Sequence, residues 1–165
     1  MSIIIGPSSF WLRTKEAADF YAARCPVGTR LGDGSRIICK CGGCAWIVAP
    51  ACTQVGQVWN NSSVCTGVVG NKCCVCDWPT LCARMISCGF NPSDWFVPSG
   101  GTGGQLNNPG YVCRTQWDFA SANYWSSTEF SPTYAFLQSF TTGAIVCAIT
   151  KSNSFCVRAF RCVTY

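Results

Sequence analysis

Cysteine is the residue that most constrains this chain, because 15 of its 165 residues are cysteine and none is histidine. Cysteine at this density is typical of a disulfide scaffold or a metal site. Because the number is odd, a fully oxidised monomer keeps at least one cysteine without a partner in the same chain. The lack of histidine excludes Ser-His and Cys-His nucleophile pairs, histidine general bases and histidine-containing zinc sites.

The spacing of four cysteines permits a zinc hypothesis. Cys41 and Cys44 form one C-x-x-C pair, and Cys73 and Cys76 form another. Four thiolates spaced in this way are typical of a zinc ribbon. The alternative is that they form disulfides or lie buried as small apolar side chains. Since the remaining cysteines follow no ligand pattern, we expect this alternative, with no bound metal or other cofactor.

The composition indicates a folded chain with little charge. Hydrophobic residues make up 48% of the sequence, which is enough for a core and excludes intrinsic disorder. The formal net charge is +5, but the basic residues are scattered, so no nucleic-acid partner is expected. No run approaches the ~20 apolar residues of a membrane span, and no membrane insertion is expected. The first residues lack the pattern of a signal peptide, so we expect synthesis in the cytoplasm without export.

Local patterns near the start predict one helix and one hairpin. Thr14 is placed to cap a helix over 15–24. Residues 26–36 are rich in turn-forming residues and are predicted as a connector. Residues 37–50 are predicted as two short strands joined by a turn at Gly42 and Gly43.

A second helix is predicted after a stretch of mixed polarity. Residues 53–72 are predicted as loop. Asp77 is the predicted cap of the helix that follows. Leu81, Met85 and Ile86 are predicted to share its apolar face.

The second half of the chain predicts a long loop and then strands. Residues 91–111 contain many glycines and prolines and are predicted as a surface loop, and 117–123 as a short helical turn. The runs 135–140, 144–150 and 155–163 are predicted as a three-stranded antiparallel meander. Helices followed by a meander indicate the α+β class.

Four segments, taken in order, resemble a known family. They are similar to the C-type-lectin-like domain found at the C-terminus of the Legionella collagen-like adhesin and in many phage and bacterial surface proteins. The end of the chain resembles small virion or tail-fibre-tip proteins of tailed phages. The segments are AWIVAP at 45–50, DWFVPS at 94–99, YWSSTE at 124–129 and VRAFR at 157–161, with a Phe-x-x-Gly turn at 140–143.

The resemblance implies a domain organisation. A C-type-lectin-like domain is expected over 37–165, with the C-terminal meander inside it and an N-terminal helical arm over 1–36. The chain departs from the family in two features: a glycine-rich run at 100–104 stands where many members have a helix, and typical members contain few cysteines.

The resemblance also implies a function. It indicates a non-enzymatic structural protein exposed on a phage virion, either a capsid decoration protein or a small tail-appendage subunit. Its partners would be other virion proteins, in several symmetric copies, after release from the host by lysis. The alternative is a receptor-binding adhesin that recognises a glycan or protein on the host surface. The formylglycine-generating oxidases share this fold type, but the sequence offers no acid–base constellation for an enzyme.

Two sets of residues are candidates for contact with partners. No Glu-Pro-Asn, Gln-Pro-Asp or Trp-Asn-Asp triplet occurs, so calcium-mediated sugar binding is not expected. Aromatic and polar side chains near the late strands are expected to form an exposed binding face. That face comprises Phe130, Tyr134, Phe136, Gln138, Thr142 and Asn153. Apolar residues of the arm are expected to dock on a neighbouring subunit, so that deleting the arm leaves a folded domain that no longer assembles. They are Phe10, Trp11, Phe20 and Tyr21.

The motif residues are expected to be structural. Large aromatic side chains are expected to anchor the core, and Glu129 is expected to pair with Arg158 or Arg161. The full set is Trp95, Tyr124, Trp125, Glu129, Arg158 and Arg161.

Overall fold

Short runs of β-branched, aromatic and cysteine residues form most of the regular structure. A computed structural model describes residues 15–59 and 73–165, and in them the chain is mixed α and β. The helices are α1 (Lys15–Arg24) and α2 (Pro79–Ser87). The strands are β1 (Arg36–Cys41), β2 (Cys44–Val48), β3 (Val55–Val58), β4 (Cys73–Cys74), β5 (Phe96–Val97), β6 (Asn123–Glu129), β7 (Tyr134–Ser139), β8 (Ile145–Thr150), β9 (Ser154–Val157) and β10 (Phe160–Thr164).

The strands form two five-stranded sheets, which agrees with the predicted α+β class. The first sheet has the order β1-β2-β10-β5-β4, and the second has the order β3-β9-β6-β7-β8. One hydrophobic cluster contains residues of both sheets and of α2, including Ile47, Leu81 and Trp125. A second cluster contains Tyr124 and Phe160. Burial of these two clusters holds the sheets together.

The first helix has the predicted bounds and packs on the first sheet. It contacts β2 and β10, and Ala22 is fully buried in the core. The Lys40 ammonium donates to the carbonyl of Ala23 at 2.8 Å. Leu31, in the connector that follows, is also buried. The described part of the predicted arm therefore contributes to the core, so we do not expect its deletion to leave the rest undisturbed.

The predicted hairpin is confirmed. β1 and β2 pair antiparallel, and both Gly42 and Gly43 have positive φ, which a glycine pair adopts without strain. On the other side of β2, a disulfide joins Cys44 to Cys162 of β10, with 5.8 Å between the two Cα atoms.

The prediction of loop over 53–72 is wrong at Val55–Val58, which forms β3 and pairs antiparallel with β9. Val55 and Gln57 face inward, and the amide oxygen of Gln57 accepts from the backbone N–H of Leu81 at 2.9 Å. Because Gln57 is polar, the sequence pattern of this segment predicts a loop, although the residue is buried in a strand. Residues 60–72 lie outside the described part of the chain.

The second helix begins after Trp78, which occupies the N-cap position predicted for Asp77. Leu81 and Met85 are buried as predicted, but Ile86 is 60% exposed. Leu81 and Met85 are four residues apart and share a face, whereas Ile86 is turned about 100° further around the helix.

The glycine-rich stretch at 91–111 is not a surface loop throughout. Ser99 and Gly100 are buried, and the backbone N–H of Gly100 donates to Thr128 Oγ1 at 2.9 Å. An irregular helical turn over Leu106–Tyr111 follows. Glycine is required at position 100 of this buried segment, because a Cβ there would come within 2.4 Å of Ser126 Oγ.

The predicted meander is confirmed for two strands and wrong for the third. β7 and β8 pair antiparallel, but β9 pairs with β3 and β6. The run 155–163 divides at Arg158 and Ala159, where the chain passes from the second sheet to the first. The helical turn expected over 117–123 lies earlier, at Arg114–Gln116. No helix within the described ranges is long and apolar enough to cross a membrane.

Candidate functional site

Two adjoining cavities form a concave surface among the described residues. They have volumes of about 460 and 450 Å³, and Arg30 and Gly34 line both. Cys88 lies on the wall of the first cavity and Cys52 on the wall of the second. The two cavities are called here the Arg30 groove.

A tight turn places Arg30 between the cavities. The backbone N–H of Leu31 donates to the carbonyl of Ser35 at 2.8 Å, and Gly34 takes a positive φ of 89°. Asp33 Oδ1 accepts from the backbone N–H of Ser35 at 2.9 Å and fixes the turn. The Arg30 side chain is exposed and makes no hydrogen bond or ion pair with any residue in the described ranges. Its donors are therefore available to a ligand.

Arg161 forms the base of the first cavity. It is 5% exposed, and its Nη2 lies 3.2 Å from Asp19 Oδ1 and 3.9 Å from Asp33 Oδ2. Its guanidinium carbon lies 4.8 Å from the ring centroid of Trp95, which is also buried. The buried cation thus joins α1, the Asp33 turn and β10, and it supports the cavity.

Arg36 and Trp117 form the wall of the second cavity. The Arg36 guanidinium stacks over the Trp117 ring at 4.2 Å, and its Nη1 donates to the carbonyl of Gln116 at 3.5 Å. Arg36 Nε and Trp117 Nε1 are buried without a hydrogen-bond partner in the described residues. The exposed Arg30 supplies the accessible donors of the groove, and Asp118 also lines the second cavity.

The turn residues of the Arg30 groove were not predicted as a site. The Gly32-Asp33-Gly34 run predicts a turn, and it was assigned to the connector over 26–36. The cavity walls come from segments far apart in sequence, so no local pattern could bring them together.

The aromatic motif residues lie in the core. Tyr124 and Trp125 are fully buried. The Tyr124 hydroxyl donates to Gln54 Oε1 at 2.7 Å, and Trp125 Nε1 donates to the carbonyl of Gln57 at 3.2 Å. Burial raises the pKa of Tyr124, which keeps its hydroxyl protonated and able to donate.

The expected pairing of Glu129 with Arg158 or Arg161 is wrong. Glu129 binds the ammonium of Lys151, which is nearly buried and also donates to the carbonyl of Pro132 at 3.0 Å. Glu129 ends β6 in the second sheet, and Lys151 follows β8 of the same sheet. Arg161 belongs to the first sheet and projects elsewhere, which the sequence spacing did not indicate.

Arg158 takes a different acidic partner. Its Nη2 donates to Asp118 Oδ1 at 2.8 Å, and its Nε donates to the carbonyl of Ala49 at 2.9 Å. Asp118 lies in a stretch without regular secondary structure, so no sequence pattern predicts its pairing with Arg158.

The predicted binding face is exposed in part. Phe130, Tyr134, Thr142 and Asn153 are exposed, and Phe136 is half-buried. Gln138 is a correction, because only 2% of it is exposed and its Nε2 donates to the carbonyl of Gly143 at 2.7 Å. This bond ties Gln138 to the turn between β7 and β8, which draws the side chain inward.

The described residues of the predicted docking arm differ in their exposure. Phe20 is exposed, with the Arg24 guanidinium 3.8 Å from its ring centroid, whereas Tyr21 packs against the core. Phe10 and Trp11 lie outside the described residues.

The four cysteines of the zinc hypothesis do not meet. Cys44 is in the disulfide with Cys162, and Cys73 also takes part in a disulfide. Cys41 and Cys44 lie towards the β1 edge of the first sheet and Cys73 lies at the β4 edge, with β10 and β5 between. Across residues 15–59 and 73–165, no three metal-ligating side chains converge.

Several free thiols are held in the protonated form. Burial, and then a hydrogen bond with the Cys88 thiol, raise the pKa of Cys52. A hydrogen bond with the Cys74 thiol, and then burial, raise the pKa of Cys76 to about 11. Because the thiolate is the reactive form, these environments do not suit a catalytic cysteine.

No protein-family model matches the chain, and no curated protein matches it.

Proposed function

We propose that the protein is a non-enzymatic structural protein with a C-type-lectin-like fold, exposed on the surface of a phage virion. It serves either as a capsid decoration protein or as a small tail-appendage subunit, in several copies among other virion proteins. The observation that carries the proposal is that Phe130 and Tyr134 are exposed where β6 turns into β7, with the Phe130 ring packed on the half-buried Phe136 of β7. These three residues are called here the aromatic turn.

Hydrogen bonds from Lys151 hold the backbone of the aromatic turn in place. Phe130 is 52% and Tyr134 38% exposed, and the Phe130 ring lies edge-on to Phe136 with 5.8 Å between centroids. Lys151 donates from its ammonium to the carbonyl of Pro132 and from its backbone N–H to the carbonyl of Thr133 at 3.0 Å each. Aromatic side chains that are already ordered lose little conformational entropy on binding, so they make good anchors in protein interfaces.

The burial of the motif residues also supports a structural role. Tyr124, Trp125 and Arg158 carry much of the family resemblance, and each is almost wholly buried. They can act on a ligand only through the fold that they stabilise. The resemblance therefore favours a shared scaffold, and it leaves recognition to exposed surfaces such as the aromatic turn.

Immunogold labelling tests the location. Antibody raised against the purified chain is applied to intact particles from a lysate. Gold over the head would indicate a decoration protein, and gold confined to the tail or its fibres would indicate an appendage subunit. No labelling of any particle would overturn the virion proposal.

A matched pair of variants tests the aromatic turn. The double variant Phe130→Ser and Tyr134→Ser is expected to lower the number of copies per particle at least several-fold, measured by quantitative mass spectrometry of purified virions. Val112→Ser is the control, because Val112 is similarly exposed, at 58%, and lies outside the turn. Equal copy numbers for the double variant and the wild-type chain would show that docking uses another surface.

The alternative, a receptor-binding adhesin, is favoured by the Arg30 groove. A groove with free guanidinium donors suits the carboxylate or hydroxyl oxygens of a host glycan. On this alternative, Arg30→Ala abolishes binding of the purified protein to host cells, while Arg24→Ala, at another exposed arginine, leaves binding unchanged. Binding that is the same for both variants would exclude the groove as the receptor site.

A further inference from the structure

Eight free cysteines in the described ranges fall into three groups, and in each group thiols interact with one another. Two of these groups connect elements that are far apart in sequence, whereas the third lies within one short segment. The groups are Cys39, Cys41 and Cys113; Cys52 and Cys88; and Cys74, Cys76 and Cys82.

Cys52 and Cys88 lie close together, on the walls of the two adjoining cavities of the Arg30 groove. Cys52 belongs to the 3₁₀ turn Ala51–Thr53, and Cys88 follows the last residue of α2. Cys88 Sγ donates to the carbonyl of Cys52 at 3.4 Å, and burial and then the neighbouring Cys88 thiol contribute to the raised pKa of Cys52. Arg84 Nη1 donates to the same carbonyl at 3.5 Å. The turn and the helix end therefore lie side by side in the fold, as a disulfide between them requires.

Cys39 and Cys113 bring together two other distant segments. Cys39 lies in β1, and Cys113 follows the helical turn Leu106–Tyr111, which packs on β1. Both side chains pack against the second hydrophobic cluster, and burial and then the neighbouring Cys113 thiol contribute to the raised pKa of Cys39. Cys41 lies beside them, with its Sγ 3.5 Å from that of Cys39, but it is two residues away on the same strand and would join no separate elements.

We propose that these two pairs are oxidation sites, and that Cys52–Cys88 and Cys39–Cys113 form disulfides when the protein meets a small-molecule disulfide. A thiolate of the pair attacks one sulfur of the small disulfide, forming a mixed disulfide and releasing one small thiol. The other cysteine of the pair loses its proton and attacks the protein sulfur of the mixed disulfide, which releases the second small thiol. Two electrons pass from the protein to the small disulfide, whose S–S bond breaks, and the two protons from the cysteines end on the released thiols.

The cross-links would have a defined structural effect. The Cys52–Cys88 bond would tie α2 to the turn after β2, so that both cavities of the Arg30 groove share a covalent wall. The Cys39–Cys113 bond would tie the outer strand of the first sheet to the glycine-rich segment. In the same sheet, Cys44–Cys162 already joins β2 to β10. This inference stands whether or not the proposed function is correct.

Solitary cysteines provide an internal control. Cys147, in β8, and Cys25, after α1, are free and form no hydrogen bond with another described thiol. In the same oxidant, each is expected to stop at a mixed disulfide, because no neighbouring thiol completes the exchange.

Disulfide mapping of the full chain tests the proposal. The chain is purified with its free thiols reduced under conditions that keep Cys44–Cys162, then incubated with oxidised glutathione in mildly alkaline buffer. The remaining thiols are alkylated, and cross-linked peptides are identified by mass spectrometry. We expect peptides that join Cys52 to Cys88 and Cys39 to Cys113, and glutathione adducts on Cys147. Persistent glutathione adducts on Cys52 and Cys88, or pairing of these residues with Cys147, would overturn the proposal.

A pair of serine variants sharpens the test. Cys88→Ser is expected to leave Cys52 as a glutathione adduct, with the Cys39–Cys113 link unchanged. Cys147→Ser is expected to keep both links. If Cys52 instead forms a disulfide with another cysteine in the Cys88→Ser variant as efficiently as in the wild-type chain, the pairing does not depend on the observed geometry. The map of the wild-type chain decides the question even if a variant fails to fold.

Discussion

Arg158→Met is the substitution whose effect on stability can be worked out most closely from the structure. Arg158 is 1% exposed and lies between the two sheets, at the point where the chain passes from β9 to β10. Methionine fills much of the same space but removes every donor. The variant therefore tests whether the hydrogen bonds of a buried cation stabilise the fold.

The expected magnitude follows from the partners of the guanidinium. It donates to the carbonyl of Ala49 at 2.9 Å, to that of Asp118 at 3.4 Å, to Gln54 Oε1 at 3.3 Å and to Asp118 Oδ1 at 2.8 Å. A hydrogen bond contributes about 1 kcal/mol net, and a buried acceptor left without a donor costs more. Because the Asp118 side chain is 52% exposed, water can replace its partner, and the ion pair itself contributes about 1 kcal/mol or less. We expect Arg158→Met to lower the free energy of unfolding by about 3 kcal/mol.

Asp118→Asn separates the ion pair from the backbone hydrogen bonds. It keeps an acceptor oxygen for Arg158 and removes only the charge, so a loss of about 1 kcal/mol or less is expected. Arg24→Met, at an exposed position of α1, is the surface control and should change stability by less than about 0.5 kcal/mol. Chemical denaturation at a fixed redox state measures the free energy of unfolding of all three variants. A loss for Asp118→Asn as large as that for Arg158→Met would refute the reasoning, because it would assign the stabilisation to the ion pair.

Two further predictions concern backbone packing and thiol chemistry. Gly104→Ala would place a Cβ within 2.4 Å of the backbone oxygens of residues 99–100, and is expected to cost at least about 3 kcal/mol. Gly56→Ala, which meets only an ordinary contact at 3.5 Å, is the control, and equal melting temperatures for the two variants would contradict this account. The pKa of about 11 at Cys76, set by its hydrogen bond with Cys74 and by burial, predicts slow alkylation near neutral pH. The rate should rise about tenfold per pH unit below that pKa, since only the thiolate reacts; a rate that levels off near pH ~8.5, the ordinary pKa of cysteine, would exclude this environment.

Local sequence patterns predicted the elements that depend on neighbouring residues. The helix Lys15–Arg24 and the hairpin around Gly42 and Gly43 have the predicted bounds to within a residue or two, because helix propensity and glycine turns act over a few residues. The predicted cap of the helix, Thr14, lies outside the described residues. The burial of Tyr124 and Trp125 was also predictable, since large aromatic residues in a β-prone run are costly to expose.

Elements that depend on a distant partner were predicted less well. β3 contains the polar Gln57, and only its contact with Leu81 makes a buried glutamine favourable there. The last β-prone run was predicted as one strand, but it divides between two sheets at Arg158, because each half pairs with a different strand. Nothing in the run itself indicates which strand will lie beside it.

The sequence by itself determined the class of the chain, its early helix and hairpin, its aromatic core and the exclusion of histidine chemistry. Only the tertiary structure decided which charges pair, which thiols meet and where a cavity forms. Glu129 pairs with Lys151 instead of an arginine, and Cys88 contacts Cys52, which lies 36 residues away in the sequence. The physical reason is the range of the interactions. Helix propensity and capping depend on residues within about one turn of the chain, whereas ion pairs, thiol contacts and cavity walls depend on how separate elements pack.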